Sequence, residues 1–171
     1  MTTLSNNNLS ALDVSSYFIK QGVTPLKLQK LLYYSQVWYF VRFNKILFND
    51  KIKAWILGPV VYDVWDNFKY MKRSSIIPTS RAKDIDFDSA ILAHLFDVWN
   101  SYGHLSGSDL VDLTHDDLPW LLARKGLLKD QPSGRDVDID RLTTVDFKLD
   151  INGNIPVISP GSSFGRYSNS F

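Results

Sequence analysis

The sequence contains no cysteine and no glutamate. The first absence removes disulfides, Cys-ligated zinc, iron–sulfur clusters and thiol nucleophiles together, and it fits a cytosolic protein. The second makes every acid an aspartate, a poor helix-interior residue and a good cap, so the acids are expected at helix starts and turns. The nine glycines are scattered, and none forms a phosphate-binding loop. No serine sits in a Gly-x-Ser-x-Gly elbow, and only three histidines could activate a nucleophile. The amino-terminal MTTLSNNNLS lacks the charged and apolar regions of a secretory signal. Charged and amide residues interrupt the longest apolar stretch, so no membrane span is expected.

What is present is a chain of 171 residues, 44% hydrophobic and 13% aromatic, enough for one domain with a packed core. The net charge of +1 hides a division. Residues 1–83 carry 12 Lys/Arg against 4 Asp, and residues 84–117 carry 8 Asp with no Lys or Arg. The remainder holds 7 basic and 6 acidic residues. Such a distribution reads as two solvated faces of opposite sign, or as a polar molecule that orients a charged partner.

In chain order, Ser10 and Asp13 suggest a capping box, with Ala11, Val14, Phe18 and Gln21 on one helix face and Gly22 as terminator. Thr24-Pro25 opens a second helix. That helix is apolar on most sides and should be central. Its polar residues form two lines, one of Lys27, Lys30 and Tyr34 and another of Gln29, Tyr33 and Gln36. They read either as satisfied amides with a narrow exposed strip or as a recognition face. Apolar runs around Asn49-Asp50 predict a short β-hairpin near 46–56. Gly58-Pro59 reads as the start of a helix burying Val60, Val61, Val64, Trp65, Phe68 and Met71. A basic loop follows to Lys83. Asp86 or Asp88 then caps an amphipathic helix ending at Gly103. Its apolar stripe is Ile91, Leu92, Leu95, Phe96, Val98, Trp99 and Tyr102, with His94, Asp97 and Ser101 opposite. Ser106 or Ser108 starts a short helix, and Asp116 or Asp117 caps the next. Trp38, Trp65 and Trp99 are expected in the core, with Trp55 and Trp120 left open. Residues 129–171 form an extension containing a candidate hairpin over 145–158, turned at Asn152-Gly153, and a loose tail. The expected fold is mainly α, a bundle of five to six helices around a central apolar helix.

Two chemistries can be written on these residues. His94, His104 and His115 with Asp109, Asp112, Asp116 and Asp117 could ligate a metal for hydrolysis. Each also has an ordinary role as a cap or helix-end residue. The basic loop and helix 2 could contact nucleic-acid phosphates, and LSGSDLVDLTHDDLPWLLARKG has a helix–turn–helix look. Its second segment, however, opens with two aspartates that repel a DNA backbone.

Three motifs occur in order: LKLQKLLYY at Leu26–Tyr34, AWILGPVV at Ala54–Val61 and LTHDDLPW at Leu113–Trp120. Together they resemble the SocA-like antitoxin family, also called the Panacea domain and often described as phage-associated protein, over residues 9–128. Asp117 stands where the family often carries an acid. The resemblance implies a small helical domain of bacterial or phage origin that neutralises a partner toxin by binding it. It implies a toxin encoded beside it, and no enzymatic activity, cofactor or metal. Cytoplasmic location follows from the same reading, and a homo-oligomer stays open. Leu26, Leu28, Leu31, Gly58, Pro59, Thr114, His115, Pro119 and Trp120 are the motif positions, expected to be structural. The candidate contact face is Lys27, Gln29, Lys30, Tyr33, Tyr34, Gln36 and Trp55. Binding surfaces favour Trp, Tyr and Arg anchors, and the chain has five Trp and eight Tyr.

Overall fold

The computed structural model describes residues 8–140 and 143–159. The loose ends expected at both termini lie largely outside those residues. Seven α-helices and one two-stranded antiparallel hairpin are found among them. Helix α1 spans Ala11–Ile19 and begins with the expected capping box, since Asp13 N donates to Ser10 Oγ at 3.0 Å and Ser10 N to Asp13 Oδ2 at 3.1 Å. Helix α2 spans Pro25–Phe43. Thr24 Oγ1 accepts from Lys27 N, and Asn44 ends the helix in the left-handed region at φ 53°. Every residue from Leu28 to Tyr39 is buried, so α2 is the central helix.

The hairpin lies later in the chain than expected. Strand β1 is Ile52–Trp55 and β2 is Gly58–Val61, paired from Ile52–Val61 to Trp55–Gly58 across a two-residue turn. Residues 46–48 form no strand. Gln36 on α2 satisfies their backbone instead, accepting from Leu47 N at 2.6 Å and donating to Phe48 O at 2.7 Å. Asp50 is no hairpin turn either, because its Oδ1 accepts from Ala11 N and caps α1. Gly58-Pro59 therefore sits in a strand, and the next helix, α3, begins only at Tyr62 and runs to Phe68. Residues 135–137 run along the free side of β1, with Ala54 N donating to Arg135 O and Val137 N to Ile52 O.

Helix α4 (Ser89–Tyr102) is capped by Asp88, and α5 (Gly107–Thr114) by a Ser106–Asp109 capping box. Helix α6 (Leu118–Ala123) starts at Asp117, but Asp146 of α7 (Thr143–Asp146) accepts from Leu118 N at 2.7 Å. The cap is thus supplied from 28 residues away. The buried face of α4 also differs from its apolar stripe: His94 and Ser101 are buried, whereas Leu92 and Phe96 are exposed. Each polar residue found a partner off its own helix. His94 Nε2 donates to Ser35 O, and Ser101 Oγ donates to Ile155 O.

The expected strand at 145–151 is replaced by α7 and irregular chain; Asn152-Gly153 does turn, with Gly153 N donating to Asp150 O, but no ladder forms. Phe147 enters the main core instead, edge-on to Trp38 at 5.3 Å between ring centres. Tyr34 stacks on Tyr102 at 4.1 Å, and Trp38 Nε1 donates to the Tyr102 hydroxyl at 2.8 Å. Ile158 N donates to Ser101 O, so residues 143–158 are packed onto α2 and α4. Of the tryptophans, Trp38 and Trp120 are buried, while Trp55, Trp65 and Trp99 are half-buried.

Candidate partner-binding site

The three sequence motifs meet at the hairpin. From α2, Gln29 bonds Val61 as a third strand would, accepting from its N–H at 2.8 Å and donating to its carbonyl at 3.2 Å. Lys30 Nζ, fully buried, donates to Pro59 O at 2.9 Å. From the α5–α6 side, His115 Nε2 donates to Ile56 O, Trp120 Nε1 to Trp55 O and Arg124 Nη1 to Ala54 O, all at 2.8–2.9 Å. His115 stacks on Trp120 at 4.6 Å, and the Arg124 guanidinium lies over the same indole.

Gly58 is where the three motifs touch. Its φ of +99° disfavours any side chain, and a Cβ there would lie 2.4 Å from Thr114 Oγ1 and 3.1 Å from Lys30 Nζ. Thr114 Oγ1 donates to Val111 O, which holds it in that position. Burial lowers the Lys30 pKa to about 7. Burial and then the charge of Lys30 also lower that of His115.

A second polar group lies under α2. The Tyr34 hydroxyl donates to Asp117 Oδ2 at 2.8 Å. Tyr33 is equally buried beside Asp117, and among the described residues its hydroxyl has no hydrogen bond of ordinary geometry. Burial pushes the Asp117 carboxyl well above the usual carboxylate range, and the nearby charge of Asp146 adds to it, against the Tyr34 bond that favours the anion.

The candidate contact face is therefore not a surface strip: Gln29, Lys30, Tyr33, Tyr34 and Gln36 are buried. Lys27 is half-buried; its Nζ donates to Gly103 O and lies over Trp99 at 5.1 Å. Of the motif positions, Leu28 and Leu31 are core and Leu26 packs under Gly107. Gly58, Pro59, Thr114, His115 and Trp120 serve the hairpin contact, and Pro119 is buried in the first turn of α6. Helix α6 buries Pro119 and Trp120 and exposes Leu121 and Leu122, an apolar pair rather than the basic residues that phosphate contacts need. The three imidazoles donate to three separate carbonyls, of Ser35, Ile158 and Ile56. Among the described residues no three His or Asp side chains gather as a metal site would need.

An open feature remains beside the hairpin, a cleft of about 380 Å³ between the turn and α3. Leu26, Val60, Val64 and Phe68 form its floor. Trp55 and Trp65, edge to face at 5.2 Å, form one wall. Pro132 and Ser133 also line it, and the exposed Lys69 and Arg73 stand at its rim. Gln29 and Lys30 contribute to its base while their polar ends bond the hairpin. Trp55, Gln29 and Lys30 were legible as candidates; the α3 residues were not, because their apolar spacing is the spacing of any packed helix.

The family model of the SocA-like antitoxin, Panacea domain, matches residues 28–121. The chain belongs to that family. Neither curated proteins nor solved structures gave a match. The matched span of the Panacea domain runs from the second turn of α2 to α6, so it contains the hairpin and nearly all of its clamp. Arg124, the 135–137 segment and α7 fall beyond it, yet they complete the hairpin edge and the core. No helix among the described residues is long and apolar enough to cross a membrane.

Proposed function

We propose that this protein is an antitoxin that neutralises a partner toxin by binding it directly. The family match over residues 28–121 carries the reading. The geometry supports it in one respect: the polar residues of the three motifs are engaged in holding the hairpin and α2 together, and a cleft with an apolar floor and aromatic wall is accessible beside them. Such a surface suits protein recognition, where aromatic and Arg side chains around a desolvated pocket contribute most. The partner is a toxin encoded by the adjacent gene, and the encounter takes place in the cytoplasm.

Co-expression tests this. The chain should restore growth to cells expressing the adjacent gene product and should co-purify with it. Growth that stays arrested, with no complex recovered, overturns the proposal.

A further inference from the structure

We propose that the cleft beside the hairpin receives a segment of the partner toxin that carries a large apolar side chain flanked by carboxylates. The inference rests on the antitoxin reading and assigns it a surface and a partner chemistry. The cleft's volume of about 380 Å³ lies at the lower end of the range for formed binding pockets, which suits one or two anchoring side chains rather than a broad flat contact. Its floor is aliphatic and phenyl, and two half-buried indoles stand against it. Trp65 is held there by Trp55 on one side and by the Lys69 ammonium, 5.5 Å from its ring centre, on another. An aromatic wall already fixed by these contacts loses little entropy on binding.

Charge selects the flanking groups. Two exposed lining residues are cationic, Lys69 and Arg73, and no lining residue is acidic. Asp66 bonds Lys69 along the helix, at 2.6 Å, and does not line the cleft. Arg73 is exposed where it lines the cleft, so its guanidinium fork is accessible to a carboxylate. Lys72, next to Arg73 in the chain, is exposed as well, so the cations at this rim favour the approach of an acidic segment.

The test has two arms on the full chain. In the first, anilinonaphthalene sulfonate, an apolar aromatic anion, is titrated against the protein. Saturable binding that perturbs the Trp55 and Trp65 indole resonances, and that weakens about tenfold or more in Lys69→Asp/Arg73→Asp, is the expected result. Lys45→Asp, a charge change at the far end of α2, should leave it unchanged. Binding that misses those indoles, or that the double variant does not weaken, overturns the cleft's chemistry. In the second arm the complex with the adjacent gene product is measured. The double variant should weaken it about tenfold or more and flatten its salt dependence. Leu57→Glu, at the exposed hairpin turn, should weaken it independently if the double variant proves unstable. A wild-type complex that both variants leave intact overturns the cleft alone. A wild-type chain that forms no complex and gives no rescue overturns the antitoxin reading, and the occupant proposed here falls with it.

Discussion

The two halves of α2 are held by different forces. Its carboxyl-terminal half, around Tyr34 and Trp38, is buried among Tyr102, Phe147 and α4, where ring area and two hydroxyl bonds do most of the holding, with Gln36 bonding the backbone of 47–48 beside them. Its amino-terminal half, at Gln29 and Lys30, binds backbone atoms of a hairpin. Area burial is non-directional and tolerates swaps that keep volume, whereas changing the donor or acceptor of a side chain bonded to backbone leaves a buried polar atom unpaired. The hairpin needs this help because two four-residue strands are marginal on their own. A lysine, an amide, an imidazole, an indole and a guanidinium together satisfy carbonyls that a larger sheet would have paired.

Breaking the aromatic half should cost most. Trp38→Ala removes a fully buried indole and orphans the Tyr102 hydroxyl, with an expected loss of about 4 kcal/mol in denaturant unfolding. At the hairpin, Gly58→Ala combines a disfavoured φ with a contact inside van der Waals range of Thr114, for an expected loss of about 3 kcal/mol. Thr114→Ala in the same chain should recover part of it, because Oγ1 is the atom struck; purely additive losses would show that backbone strain alone is responsible.

His94 sharpens the contrast in acid. Burial lowers its pKa from 6.5 to about 4, while the Ser35 carbonyl fixes the Nε2–H tautomer. The unfolded chain binds the proton first, so stability present above pH 6.5 is lost as pH falls toward 4, on the order of 3 kcal/mol. His94→Gln should flatten that limb of the pH–stability curve. Asp117 acts oppositely: its raised pKa makes the fold bind the proton more tightly, so its contribution grows as pH falls toward the normal carboxylate value.

Gln29→Met and Gln29→Glu separate shape from bonding. Methionine keeps the volume but leaves both polar atoms of Val61 unpaired, for about 2 kcal/mol. Glutamate keeps the acceptor for Val61 N and sets a second oxygen against Val61 O, so it should destabilise comparably despite its likeness. Equal stability of glutamate and wild type would contradict a backbone-reading role. Lys30→Met should have the smallest effect near neutrality, within about 1 kcal/mol, since losing one bond to Pro59 is offset by losing a buried amine. Its signature is the alkaline slope. The folded pKa of about 7 against 10.5 makes stability rise with pH between those values in the wild type, and Lys30→Met should abolish that rise.

Local chemistry made much of this chain legible. Ser10 with Asp13, Thr24-Pro25, Asp88 and Ser106 start helices where their side chains bond the first free N–H groups, an interaction that needs only neighbours in sequence. The continuous apolar character of residues 28–39 likewise announced a central helix, and the three motifs announced the family. What the tertiary structure decided were the cases in which a polar group found its partner far along the chain. Gln36 took over the backbone of 47–48, so the hairpin moved to 52–61. Asp146 capped α6, freeing Asp117 for Tyr34. Ser35, Arg42 and the 155–158 segment turned the polar face of α4 inward and left Leu92 and Phe96 outside. The cleft is of the same kind, built from α2, a turn, α3 and residues 132–133 that share no pattern in sequence. Capping and periodicity are properties of adjacent residues, but the satisfaction of a buried polar group and the shape of a cavity belong to elements that meet only when the chain has folded.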